Sequence, residues 1–436
     1  MHTITILAAV LVAGSVSSFA MADDTAVSLT PSEKAAGWTV LFDGKSTVGW
    51  RGYKSDKFPE KGWVVEDGVL HVVKGGGGGD IMTAAEYADF EMAFDFKCSA
   101  GANSGVMYRV AGGKDYPWQT GPEFQVLDDE KHSDGKDPKH RAGSLYDMIA
   151  PPPTEPGSKR LAPAEQWNTG RIRLSNGLLS HFVNGVKTAE CRIDGPEWKK
   201  MIAGSKFKDM KGFGLESTGH IALQDHGDDV WFRNIKVRDL KKPMPGEAAL
   251  FNGKDMSGWT WFTNDKGATK IGDVFSVSGG VVADKGTPNG YIATTAEYTS
   301  YVLRVSWRWE SPDAGKPGNS GVLLRVQKPD NVWPKSIEAQ LMAGNAGDFY
   351  SIGEFPMKGD AARTNGRHVA HTKSNERPQG EWNEYEIIVE GGTIVLNVNG
   401  EELNRATGCA EMAGRIALQS EGAPIYFRDV RLAPLR

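Results

Sequence analysis

The sequence predicts an all-β protein built as two tandem jelly-roll β-sandwich domains. Three observations lead there. The chain repeats itself once, with a period of about 200 residues, which is too long for a solenoid unit and right for a domain. Short segments inside each copy alternate polar and apolar residues, the signature of strands with one buried face. Glycine is frequent, at 53 of 436 residues, and punctuates these segments, whereas helical periodicity is sparse.

The duplication is read from matches in the same order along the chain. Leu41-Phe42-Asp43-Gly44-Lys45 returns as Leu250-Phe251-Asn252-Gly253-Lys254, and Thr83-Ala84-Ala85-Glu86-Tyr87 as Thr294-Thr295-Ala296-Glu297-Tyr298. Asn103-Ser104-Gly105-Val106 returns as Asn319-Ser320-Gly321-Val322, and Arg109-Val110 as Arg325-Val326. Trp167-Asn168 matches Trp382-Asn383, Asn184-Gly185 matches Asn399-Gly400, and Ile221-Ala222-Leu223-Gln224 matches Ile416-Ala417-Leu418-Gln419. The linker-like stretch Lys241-Lys242-Pro243-Met244-Pro245-Gly246 separates a first domain over residues 30–240 from a second over 246–436.

Individual elements are read from pattern. Glu91 to Lys97 and Leu303 to Trp309 alternate as strands, and so does Trp231 to Val237. Arg171 to Ser175, an Asn176-Gly177 turn and Leu178 to Val183 read as a hairpin, with Asn184-Gly185 as a second turn of the same kind. Glu197 to Lys208 is the best helical candidate and is an insertion absent from the second copy. Three cysteines, Cys98, Cys191 and Cys409, are too few for a disulfide framework, and small buried side chains are the better expectation.

Composition excludes some classes. The formal net charge is −5 and no long basic run occurs, which argues against nucleic-acid binding. At the N-terminus, Ile4 to Ala13 is apolar, and Ala20-Met21-Ala22 resembles a cleavage site, so residues 1–22 read as a signal peptide. The expected protein is exported, periplasmic or secreted, without stable membrane insertion after cleavage. No Cys/His spacing resembles a zinc site. The run Gly75 to Gly79 lacks the Lys-Ser/Thr ending of a phosphate loop and reads as a flexible turn.

The segment richest in chemistry is Glu123-Phe124-Gln125-Val126-Leu127-Asp128. Glu123 and Gln125 share one face of a strand, and Asp128 joins them if the strand ends or bulges there. Paired carboxylates are what acid–base work on a glycosidic oxygen requires. The second copy keeps Glu338 and Gln340 but has Ala343 for Asp128, so the comparison favours Asp128 as functional and leaves Glu123 open between chemistry and structure. His226, replaced by Glu421 in the second copy, is a candidate acid or base near neutral pH. Arg109 suits a sugar hydroxyl or an oxyanion, though Arg325 survives in the second copy and a structural ion pair is equally expected. Trp118, Tyr146 and His181 are candidate sugar contacts, and the loop from Asp128 to Arg141, with His132, Asp134 and His140, is either a binding loop or merely solvated.

These residues resemble a known family. Leu41 to Lys45, Asn103 to Val106, Glu123 to Asp128, Glu165-Gln166-Trp167-Asn168, His181-Phe182-Val183-Asn184-Gly185, Gly219 to Gly227 and Phe232-Arg233-Asn234-Ile235 are similar, in order, to the 3-keto-disaccharide hydrolase family. The resemblance implies a concanavalin-like jelly roll related to laminarinase-type glucanases, whose E-x-D-x-x-E strand appears here as E-x-Q-x-x-D. It further implies cleavage of a 3-keto-glycoside: the ketone acidifies the C2 proton, a base removes it, the C1 substituent leaves, and water adds. On this reading Glu123 or His226 carries the proton transfers, Asp128 is the orienting or second acid, and Arg109 steadies the oxyanion, with Gln125, Tyr146, His181 and Gln224 binding substrate. No cofactor is required, and a divalent metal at the enolate oxygen stays compatible with the sequence. A carbohydrate-binding protein without catalysis, or an adhesion module of the cell envelope, are the alternatives on the same fold.

Overall fold

The computed structural model describes residues 27–154, 160–267, 270–310 and 318–435, so the leader expected over residues 1–22 lies outside it. Each half of the chain is a two-sheet antiparallel sandwich, as the alternation predicts. In the strand Phe90–Cys98, Phe90, Met92, Phe94 and Phe96 point into the core, while Glu91, Asp95 and Lys97 point out. In the second half Leu303, Val305, Trp307 and Trp309 do the same on Tyr301–Trp309.

The first half pairs an eight-stranded sheet with a five-stranded one. The large sheet has Phe90–Cys98 near its centre, between Asn168–Ser175 and Val230–Asp239. The small sheet runs Trp50–Gly52, Ile81–Thr83, His220–Leu223, Asn103–Val110, Glu123–Leu127. Aromatic rings lock the two layers together: Phe94 of the large sheet meets Phe124 of the small one edge-on at 5.4 Å. In the second half the corresponding small sheet grows to eight strands by adding Phe349–Ile352, His368–Val369 and Thr364–Asn365. Over the matching stretch the first half has an irregular loop with 3₁₀ turns at Ser133–Lys136 and Pro138–His140.

Local signals are realised where they are strongest. Asn176 and Gly177 take φ of 49° and 77°, and Asn184 and Gly185 take 49° and 79°, the left-handed conformations that a two-residue hairpin turn demands. The insertion helix is shorter than its pattern suggests: it spans Pro196–Ala203 and ends at Gly204. The chain beyond Gly204 is irregular, fixed by a stacked Phe207–Phe213 pair at 4.0 Å and by Trp198, whose indole donates to Gly214 O. All three cysteines are free thiols. Among the described residues no helix is long and apolar enough to cross a membrane.

The two halves meet through the outer faces of their large sheets, and that contact is made largely of buried charge. Glu91 lies 2.7 Å from Arg238, 2.9 Å from Arg171 and 3.6 Å from Arg173. Arg173 reaches across to Glu384 at 2.6 Å, and Arg238 to Glu386 at 2.6 Å, which also receives Arg304 at 3.0 Å. The short helix Pro31–Ala35, capped by Thr30 and Glu33, adds an apolar contact in which Ala35 and Ala36 pack with Met244, Val302 and Ala433.

Removing one partner from such a network leaves an uncompensated buried charge, which is costlier than the intact pair is stabilising. Burial opposes ionisation of Glu384, but Arg173 overcomes it and holds the carboxyl down at about 2. The stabilisation is therefore fully present above the ordinary carboxyl value of 4.5 and fades as pH falls toward 2. We expect Glu384→Gln to cost about 3 kcal/mol in urea unfolding at neutral pH, with the deficit shrinking in acid. An equal deficit at both pH values would show that charge is not its origin.

Candidate active site on the small sheet

The strand Glu123–Leu127 sends Phe124 and Val126 into the core, so Glu123 and Gln125 stand on the opposite, outer face of the small sheet. The neighbouring strand places Gly105 opposite Gln125 and Met107 opposite Glu123. Met82, Met107, Ala222 and Tyr53 form an apolar floor there, with Trp118 against it. Gly105 is needed for close approach: a Cβ at that position would collide with the Glu123 carboxyl, whose Cδ would lie at 2.7 Å. Glu123 is only 6% exposed.

Burial is the main influence on the Glu123 carboxyl. It pushes the group up to about 8, with Asp80 and Asp134 adding to the rise and the Lys206 ammonium opposing it. Asp80 reaches the same face from the end of the Gly75 to Gly79 run. That run is a tight turn rather than an anion cradle: Gly62 and Gly78 pack so closely that no Cβ fits between them, Trp63 donates to Gly79 O, and Gly79 N donates to Asp225 Oδ2 at 2.9 Å. Asp80 Oδ1 accepts from Asp225 N at 2.9 Å. Burial pushes Asp80 up to about 6, the Asp225 N–H opposes the shift and the Asp225 charge adds to it.

Loops supply the walls. Tyr146 donates its hydroxyl to Asp134 Oδ2 at 3.2 Å and stacks on His140 at 4.5 Å. The Lys206 ammonium sits 4.1 Å from the centre of the Tyr146 ring and 5.9 Å from that of Trp118. The Lys206 backbone is anchored beside them, its N–H donating to Asp147 Oδ2 at 2.6 Å. His226 is exposed near this end of the sheet, edge-on to His132 at 6.4 Å. Gln125 donates to Asn103 Oδ1 at 3.4 Å, and its Oε1 is buried with no partner. Gln224, two residues beyond Ala222 on this face, donates its backbone N–H to Gly105 O at 3.0 Å. That bond joins the strand ending at Leu223 to the Gly105 strand, directly beside the Glu123 carboxyl.

Three expected site residues lie elsewhere. Asp128 comes just after the end of the strand, and its carboxylate accepts from Gly101 N at 2.7 Å and from Glu130 N and Lys131 N, so it caps a turn rather than facing Glu123. Arg109, at φ 51° in a sheet irregularity, donates to Ala88 O and lies 3.7 Å from Asp89. Its counterpart Arg325 likewise serves backbone carbonyls, those of Thr299, Gly391 and Ala410. His181 is fully buried between the sheets, bonded to the Tyr108 hydroxyl at 3.0 Å and to Ser144 O at 3.2 Å, and burial lowers it to about 4, leaving it neutral. It props the chain two residues before Tyr146 and is not itself on the outer face. Conversely, sequence pattern does not mark Asp80 or Lys206 as members of the site. Their available signals are a carboxylate directly after a glycine run and a lysine inside an insertion that one copy lacks. Among the described residues no group of three His, Cys, Asp or Glu side chains is placed to hold a metal ion.

Comparison with known proteins gives a consistent picture. The 3-keto-alpha-glucoside-1,2-lyase-like domain family matches twice, over residues 37–238 and 246–433. A 3-keto-disaccharide hydrolase of Bacteroides thetaiotaomicron is 35% identical over 270 residues, covering 52% of this chain and 91% of that protein. Two crystal structures of candidate glycosyl hydrolases from Parabacteroides distasonis are also similar. One is 33% identical, covers 50% of this chain and 100% of its own, and has a TM-score of 0.45. The other is 30% identical, covers 47% and 99%, and has a TM-score of 0.36.

A carboxyl held at about 8 in the fold but near 4.5 in the unfolded chain makes folding take up a proton between those values. Its contribution to stability therefore declines as pH rises through that window. We expect Glu123→Gln to raise the melting temperature relative to the natural chain, with a larger gain at about pH 9 than at about pH 5. A gain that does not change with pH would contradict the raised carboxyl.

Proposed function

The chain belongs to the 3-keto-alpha-glucoside-1,2-lyase-like domain family and is a glycoside hydrolase; from that premise we propose that its N-terminal half acts on 3-keto-disaccharides by removing the proton next to the ketone. The observation that carries this reading is the pair of carboxyls on the small sheet, held at about 6 for Asp80 and about 8 for Glu123. Two acids kept at different strengths are suited to opposite roles at one pH. Near neutrality Asp80 is ionised and serves as the base, while Glu123 keeps its proton and serves as the acid.

The reaction then runs in two stages. Asp80 takes the C2 proton, and the electron pair of that bond passes toward the C3 oxygen as an enolate. The enolate collapses to form the C1–C2 double bond and breaks the C1–O bond, and Glu123 protonates the leaving oxygen. In the second stage Glu123, now ionised, accepts a proton from water as the hydroxyl adds to C1. Protonated Asp80, whose proton exchanges with solvent while the unsaturated sugar is bound, then protonates C2. One water is consumed and both carboxyls are restored. The Lys206 ammonium is the cation acting on this face and is suited to the enolate oxygen, the role expected of Arg109 from sequence. The unpartnered Gln125 Oε1 accepts a sugar hydroxyl, and Trp118 and Tyr146 offer ring faces. His226 is exposed near this face, and the leader expected over residues 1–22 would carry the activity outside the cytoplasm.

Two measurements test this. The kcat/KM for a 3-keto-disaccharide is expected to rise through about pH 6 and fall through about pH 8. Asp80→Asn should lose the acidic limb and Glu123→Gln the alkaline limb, each with a drop of roughly 10²- to 10⁴-fold. In heavy water the released keto-sugar should carry deuterium at C2, because that C–H bond is broken and remade. Full activity in both variants, or product without label, would refute the mechanism.

A further inference from the structure

The C-terminal half repeats the outer-face arrangement with altered chemistry. Ile337 and Ala339 point into its core, which puts Glu338 on the outer face, as Glu123 is in the first half. Gly321 again leaves room for the carboxyl, since a Cβ there would collide with both Glu338 Oε1 and Gln419 Oε1. Trp333 precedes Glu338 by the same interval that separates Trp118 from Glu123. Tyr350 pairs in register with Glu338 and stacks on His368 at 4.6 Å, matching the Tyr146–His140 stack at 4.5 Å. Burial pushes Glu338 up to about 8, with Glu421 adding to the rise and Arg367 opposing it.

The base is what differs. Trp50 pairs with Thr83 and Trp259 with Thr294, so counting three residues back from each threonine sets Asp80 against Tyr291. The Tyr291 hydroxyl is committed to Asp330 Oδ1 at 2.9 Å, and Asp330 is paired in turn with Arg415. No carboxylate stands at Asp80's position. Groups suited to sugar recognition remain. Gln419 is 2% exposed, and its Oε1 has no partner although it lies beside the Glu338 carboxyl. Trp333 is 47% exposed, a large aromatic surface at the edge of this face.

We infer that the C-terminal half carries a second carbohydrate site, which binds a sugar without cleaving it. The ring stacks on Trp333, hydroxyls donate to Gln419 Oε1 and Glu421, and Arg367 donates to a ring or carbonyl oxygen. The choice of a 3-keto-disaccharide as probe rests on the function proposed for the first half. The site itself rests on Trp333, Gln419 and the missing base.

The test uses the full chain. Glu123→Gln, which blocks turnover in the first half, is titrated calorimetrically with a 3-keto-disaccharide and, separately, with the parent disaccharide. Two binding sites per chain are expected for at least one of these sugars, falling to one when Trp333→Ala is added. Trp333→Ala alone should leave turnover within about twofold of the natural chain, as a site remote from the chemistry requires. Gln419→Leu provides a second variant whose melting temperature is checked against the parent. A stoichiometry that neither Trp333→Ala nor Gln419→Leu changes would overturn the second site. So would turnover that persists in Asp80→Asn/Glu123→Gln and disappears on adding Glu338→Gln, since the C-terminal site would then be catalytic. Absence of turnover in the natural chain would instead refute the function proposed for the first half. Binding sensitive to Trp333→Ala would still support the second site in that case.

Discussion

The two-residue repeat of a strand is the constraint on which this protein depends. Along Glu123–Leu127 it forces every second side chain into the sandwich core and every other one onto the outer face. Phe124 and Val126 are therefore inseparable from Glu123 and Gln125: the residues that bind the two sheets together also aim the carboxyl. An outward-facing carboxyl on an open sheet would be solvated and ordinary. Here the walls formed by Trp118, Tyr146 and Lys206 withdraw it from water, and that loss of solvent, more than any neighbouring charge, makes it a weak acid. The sheet thus supplies position, and the loops supply acidity.

The parts of this design that are legible in the sequence are the local ones. Alternation, the Asn-Gly turns and the duplicated motifs each depend on residues close in the chain, and each is realised. Glu123, Gln125 and Tyr146 can be picked out because strand phase and composition mark them. Asp80 and Lys206 cannot, because each reaches the outer face from a loop remote in sequence from Glu123. The three misplaced candidates fail for separate reasons. His181 lies on Leu178–Val183, where nearly every side chain is buried, so phase does not reveal which face it takes. Asp128 stands just past a strand end, where an aspartate commonly caps the following turn. Arg109 adopts a left-handed backbone that its residue type rarely takes, and this turns its guanidinium toward the backbone of Ala88.

The two halves together separate what the scaffold needs from what the chemistry needs. Gly105 and Gly321, Glu123 and Glu338, and Arg109 and Arg325 are common to both copies. The two arginines serve backbone carbonyls, and the two glycines admit a carboxyl against the sheet. Divergence is concentrated in the loops: an irregular segment carrying Asp134 and His140 in one copy becomes extra strands in the other, and the insertion bearing Lys206 has no counterpart. A sheet built once can in this way be given different surroundings, the insertion bringing its own buried side chains, Trp198, Phe207 and Phe213, to the core of the first half.

The contact between the halves has a geometric consequence. Glu91, Arg173 and Arg238 meet Glu384 and Glu386 across the large sheets, so both small sheets are on the outside of a four-layer stack. With layers about 10 Å apart, the outermost sheets are separated by roughly 30 Å and look in opposite directions. A sugar released on one side cannot be handed to the other without passing through bulk solvent. A molecule resting with its C-terminal side on a glycan-coated surface would keep its N-terminal side turned toward the medium, so attachment and turnover never compete for the same space.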